Sequence, residues 1–195
     1  MSTFLLTASQ TVGPFFAPTL LREDALRNGL AQPETAGERI RIEGRVLDGD
    51  GLAVPDAMVE IWQANAHGRY NHPADTSDAA LDPSFLGFGR SGTGEDGSYW
   101  FETIKPGSVP FDGEQQQAPH ICVTIFARGL LNHLVTRLYF EDEPDNALDP
   151  VLNCVPDERR ATLLARREAG NGNAPVVYRF DIILQGANET AFFNV

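Results

Sequence analysis

The chain has 195 residues, two cysteines and a formal net charge of −12, from 15 basic and 27 acidic side chains. That length suits one domain, and a domain of this size buries roughly 70% of its unfolded surface without disulfide staples. No clustered basic patch favours nucleic acid, and no apolar run reaches the length of a membrane-spanning helix.

Cys122 and Cys154 are far apart and form no paired motif, which fits a reducing, cytoplasmic setting. The start, "MSTFLLTASQT", has neither a basic leader nor a long apolar stretch, so no secretory signal is expected. Residues 1–38 read as an irregular arm. "TVGPFFAP" is broken by Gly13, Pro14 and Pro18, and "LREDALRNGLA" has the makings of one short helix. Phe15, Phe16 and Leu20 have no evident local core, which points the arm at a partner chain.

From residue 39 the pattern changes. In "RIRIEGRVLDGDGLAVPDAMVEIWQAN", Ile40, Ile42 and Val46 alternate with Arg41, Glu43 and Arg45, "DGDG" marks a tight turn, and Met58 to Gln63 form a returning strand. "GTGEDGSYWFETIKPG" repeats the logic with a turn at Asp96-Gly97. "HICVTIFARG" and "HLVTRLYF" predict a strand pair, and "VVYRFDIILQG" a last strand. "DERRATLLARRE" predicts a late helix whose arginines face solvent among acidic neighbours. Short strands with Gly, Pro and Asp turns predict a mainly β chain. The expected fold is an antiparallel β-sandwich over 39–195 with one or two short helices. The intervals 64–95 and 105–118 read as long loops of the kind that carry function.

"APHICVTIFARG" places His120 and Cys122 on one face of a strand, with Ile121, Val123 and Ile125 on the other. A His-x-Cys pair is half of a metal site, or two ordinary residues of a core strand. His67 and His72 bracket Tyr70 in "NAHGRYNHPAD", a weak metal signal without a helix beneath it. Arg128, at the other end of the strand, is a solvated cap or, facing a cleft, a planar fork matched to a carboxylate.

Taken together, "GRVLDGDGLAVPDAMVEIWQANAHGRY", "GEDGSYWFETIKPG", "APHI" and "YRFDIILQG" resemble the intradiol ring-cleavage dioxygenases, from about Ser9 to Val195. The resemblance implies a prealbumin-like sandwich. It also implies a non-haem ferric ion held by two tyrosines and two histidines, hard donors suited to Fe(III). Carried onto this chain, the ligand positions fall on Tyr70, Val109, His120 and Cys122. Gln117 stands where an arginine is expected. Two of the four donors are therefore missing, and the resemblance implies no metal in this chain.

"SQTVGPFF", "FARG" and "TRLYF" are similar to the iron-free α subunits of the family's two-subunit members. This implies a homologous β partner that holds Fe(III), and an active site at the α/β interface. There the complex cleaves 3,4-dihydroxybenzoate with O₂ to 3-carboxy-cis,cis-muconate, in the β-ketoadipate route of aromatic degradation. The same resemblance puts Thr11, Gly13 and Pro14 near the partner's substrate pocket and Arg128 against the substrate carboxylate. Phe15 stands where these α subunits carry tyrosine and so offers only an apolar wall. Two other readings stay open from sequence: a non-enzymatic sandwich that binds a small aromatic acid or a partner chain, and a chain that binds metal alone through Tyr70, His120 and Cys122.

Overall fold

The computed structural model describes residues 11–13, 15–168 and 175–194. The period-two pattern from residue 39 becomes β1 (Arg39–Leu47), with Ile40, Ile42 and Val46 buried and Arg41, Glu43 and Arg45 on the opposite face. Ten more strands follow among the described residues: β2 (Met58–Trp62), β3 (Phe88–Gly92), β4 (Ser98–Ile104), β5 (Val109–Pro110), β6 (Gln116–Gln117), β7 (His120–Phe126), β8 (Leu134–Phe140), β9 (Leu164–Glu168), β10 (Val176–Arg179) and β11 (Ile182–Ile183).

One layer runs β3-β2-β7-β8 and is antiparallel throughout. The other runs β4-β1-β10-β9, with β11 continuing alongside β1. β9 belongs to both, because Leu164 and Ala165 pair with Tyr139 and Phe140 of β8, and residues 166–168 pair with β10. Between the layers, Ile42, Phe101 and Tyr178 meet Ile61, Ile121, Val123 and Leu138 in one core. Each such side chain stabilises the fold by roughly 1.5–3 kcal/mol on burial. The sandwich is as expected, and most pairs are antiparallel. The pairs β1–β10, β1–β11 and β8–β9 are parallel, joined by long excursions of chain rather than by hairpins.

Three local expectations are corrected. The late helix over residues 157–168 is confined to α2 (Asp157–Arg160) and a 3₁₀ turn over Ala161–Leu163, after which the chain is strand β9. A twelve-residue helix is marginal alone. The extended course instead buries Leu163 and Ala165 completely and pairs Glu168 with Arg179. The helix expected in "LREDALRNGLA" is only a 3₁₀ turn over Glu23–Ala25. Residues beyond it run extended along the free edges of β3 and β4, with Arg27 bridging Arg90 and Gly29 bridging Glu102, and Leu30 enters the core. Finally, the "DGDG" turn forms, with the Asp48 carboxylate accepting from the Asp50 and Leu52 amides, but β2 does not pair with β1 and crosses to the other layer. Strand β3, inside the interval read as loop, is the partner β2 takes instead.

The N-terminal stretch adds one helix that its two prolines had argued against, α1 (Phe16–Leu20). Phe16 is buried within its own chain, whereas Phe15 beside it is 81% exposed.

Candidate functional site

The alternation on β7 sends Ile121, Val123 and Ile125 into the core and turns His120 and Cys122 to the other face. Antiparallel register then builds a row across that face. Trp62 of β2 lies opposite Cys122, Cys122 opposite Arg137 of β8, and His120 opposite Tyr139.

Two loops close over this row. The first is held by Asn65, whose Oδ1 accepts from the His67 and Arg69 amides and whose Nδ2 donates to the Ala80 carbonyl. Tyr70 follows, its amide donating to Asp75 at 2.7 Å and its ring stacked on Trp62 with centroids 5.7 Å apart. The second loop carries Val109 in the small β5–β6 ribbon. Gly68 has φ +78°, and a Cβ there would stand 1.9 Å from the Ser108 carbonyl, while one on Gly107 would stand 2.6 Å from the Ala66 carbonyl. Only glycine lets the two backbones approach so closely. Tyr70 and Val109 thereby line one cleft of about 720 Å³, with Trp62, His72, Asp75 and Phe111.

His120 is buried. Its Nδ1 donates to the Ala118 carbonyl at 2.7 Å, leaving Nε2 unprotonated and 3.5 Å from the Tyr70 hydroxyl. Burial, reinforced by the Arg137 charge, pushes the imidazole pKa down to about 4. Burial raises the Tyr70 phenol far above its ordinary value and also raises the neighbouring Cys122 thiol. At neutral pH the three side chains are therefore uncharged. Beneath them lies a residue that sequence reading missed. Asp149 is wholly buried and accepts from the Ala118, Val151 and Leu152 amides and from the Tyr139 hydroxyl. Its only sequence signal was the turn-forming "LDP". Arg137, also missed, donates to Gln117 Oε1 at 2.7 Å and to the Tyr139 hydroxyl at 3.3 Å.

The structure thus brings the four positions Tyr70, Val109, His120 and Cys122 together, but they do not fit a ferric ion. Fe(III) favours several hard, anionic donors. Val109 has no donor atom, and Cys122 offers a neutral thiol with the Arg137 cation as its cross-strand neighbour. Among the described residues no group of three or more His, Cys, Asp or Glu side chains is placed to hold a metal ion.

Arg128 lies elsewhere, just past the far end of β7, where its Nε pairs with Asp56 and its side chain remains 60% exposed. Thr11 and Gly13 form a local turn in which the Gly13 amide donates to Thr11 Oγ1 at 3.4 Å. Pro14 lies outside the described residues. His133 stacks on Phe126 near Arg128, and His67 takes no part in the row.

Residues 12–186 match the family profile described as Dioxygenase, and the chain belongs to the intradiol dioxygenase family. The sequence is 48% identical to the protocatechuate 3,4-dioxygenase alpha chain of Burkholderia cepacia, over the whole of both chains. It is 42% identical to the alpha chain of Pseudomonas putida over 96% of each. The beta chain of the Burkholderia enzyme is 41% identical, over 87% of this chain and 74% of its own length. Among solved structures, the dioxygenase domain of a carbohydrate-binding fusion from Streptomyces sp. SirexAA-E superposes with a TM-score of 0.62 at 27% identity, covering 92% of this chain and 97% of that one. The 3-chlorocatechol 1,2-dioxygenase of Rhodococcus opacus 1CP shares the fold, with a TM-score of 0.65 at 21% identity over 93% of this chain and 69% of its own.

Proposed function

We propose that this chain is the iron-free α subunit of a protocatechuate 3,4-dioxygenase, paired with a homologous β subunit that holds the ferric ion. The observation that carries the reading is a chain similar end to end to α chains in which the inherited donor set is assembled but chemically void. The complex would cleave 3,4-dihydroxybenzoate with O₂ to 3-carboxy-cis,cis-muconate. The partner's iron would supply activation of the catechol through its two oxygens.

This chain's share is binding and orientation. Arg128 is too far along β7 to act on its own chain's cleft, roughly 25 Å of extended strand from His120. Its guanidinium, steadied by Asp56 yet open to solvent, is suited to take the substrate carboxylate across the interface. Thr11, Gly13, Pro14 and Phe15 would wall the same pocket, and the 81% exposed ring of Phe15 is an apolar contact awaiting a partner. The arm over residues 1–38 is accordingly read as partner-facing, with the second half of it also tied to β3 and β4.

Co-expression with a β-type chain tests this. The purified pair is expected to convert 3,4-dihydroxybenzoate, whereas the chain alone converts none. Turnover by this chain alone, or failure to associate with any β-type chain, would overturn the reading.

A further inference from the structure

The register of β2 and β7 decides what stands beside Arg128. Met58 pairs with Phe126 and Val59 with Ile125. Carried two residues past Met58, the same antiparallel register sets Asp56 opposite Arg128. Both residues stand on braced turns. The Thr93 hydroxyl donates to the Val54 carbonyl at 2.7 Å and accepts from the Ala57 amide at 2.9 Å, so the chain is clamped on either side of Asp56. The Leu130 amide closes a turn over Arg128 onto the Ala127 carbonyl at 3.3 Å. Asp56 meets the guanidinium at Nε. Among the described residues neither side chain enters any other ion pair. With side chains 60% and 24% exposed, the pair adds little to stability. Its evident effect is on the direction of the arginine.

We infer that Asp56 is a positioning residue for the substrate: it takes the Nε side of the Arg128 fork and so directs the two terminal nitrogens at the carboxylate of the aromatic acid. The planar guanidinium offers donors along two edges. A carboxylate at Nε fixes the plane of the fork and leaves its outer edge for a second, bidentate carboxylate. An arginine free on a turn gives up rotamer freedom when it binds, and one already held gives up less. Coulomb attraction alone argues the other way, since an anion beside Arg128 weakens its pull on a second anion. Loss of Asp56 therefore raises KM if positioning dominates and lowers it if charge dominates. The inference rests on the proposed role of Arg128.

The test uses the αβ complex and steady-state kinetics on 3,4-dihydroxybenzoate and on 4-methylcatechol. Asp56→Ala is expected to raise KM for the acid by about three- to tenfold. It is expected to leave kcat, and KM for 4-methylcatechol, nearly unchanged. In the Arg128→Ala background the same substitution is expected to add nothing, because its effect passes through the guanidinium. Asp56→Asn serves as a second neutral variant should the alanine form fail to assemble. The inference is overturned if KM for the acid stays or falls, if both substrates lose alike, or if the two substitutions raise KM independently. Equal losses on both substrates from Arg128→Ala alone would instead sink the carboxylate role of Arg128, and the inference with it.

Discussion

The cleft around His120 and the surface around Arg128 sit at opposite ends of β7, and their physical states are reversed. In the cleft the framework is held by hydrogen bonds: His120 to Ala118, Tyr70 to Asp75 through its amide, Asp149 to four donors. At the other end Arg128 has one carboxylate partner and a side chain 60% exposed. The well-ordered, buried region is the one without usable chemistry, and the sparsely bonded region is the one with groups left to offer. Pre-organisation makes a site only when the groups held in place can still bind something. Here the hydrogen bonds hold a wall, because Val109 has no donor atom and Cys122 offers a neutral thiol.

Several substitutions break or sharpen that contrast. Asp149→Ala should cost most, because three amides and a phenol lose their acceptor in a buried place. A loss of about 3–5 kcal/mol is expected, which chemical denaturation would read. A loss below about 1 kcal/mol would mean that the cleft is not held in this way.

Acid should act next. The His120 pKa lies near 4 in the fold against about 6.5 in the unfolded chain. The unfolded state thus binds the extra proton first as pH falls. The stability that His120 contributes is complete above about pH 6.5 and is lost as pH falls towards 4, a loss of ~3 kcal/mol. Melting temperatures measured across this window should fall more steeply for the wild type than for His120→Gln. Parallel curves would contradict the buried neutral imidazole.

Arg128→Ala in the complex should leave stability nearly unchanged but raise KM for 3,4-dihydroxybenzoate by about ten- to a hundred-fold, the equivalent of ~1.4–2.7 kcal/mol for one charge-assisted contact. The effect on 4-methylcatechol, which lacks the carboxylate, should be much smaller. Equal losses on both substrates would reduce Arg128 to a strand-end cap paired with Asp56. The smallest effect is expected from Tyr70→Phe. The hydrogen bond between its hydroxyl and His120 spans 3.5 Å, so stability should move by less than about 1 kcal/mol and iron in the complex should not change.

How much of this was legible in the sequence depended on range. The face shared by His120 and Cys122, the β7–β8 pair and the outward row of β1 follow from period-two alternation, which is local. The crossing of β2 away from β1, the strand β3 and the extended course of residues 164–168 were decided by which distant edge was free to pair, and no local pattern encodes that. "DERRATLLARRE" is the sharpest case: its helix propensity is real, yet Leu163 and Ala165 gain more by closing the two layers. In the cleft, Tyr70, Val109, His120 and Cys122 were legible from motif positions, as was the void left by Val109. Asp149 and Arg137 were not, because an aspartate before a proline and an arginine in an alternating strand look ordinary until the fold places them beside His120 and Cys122.

On the proposed function, this chain binds no iron of its own and the complex works through its partner's iron. Iron counted per αβ pair in the wild-type complex tests it most directly. One iron per pair, with none retained by this chain when purified alone, is the predicted result. Two irons per pair, or one iron in the isolated chain with a red-brown tyrosinate band, would contradict it.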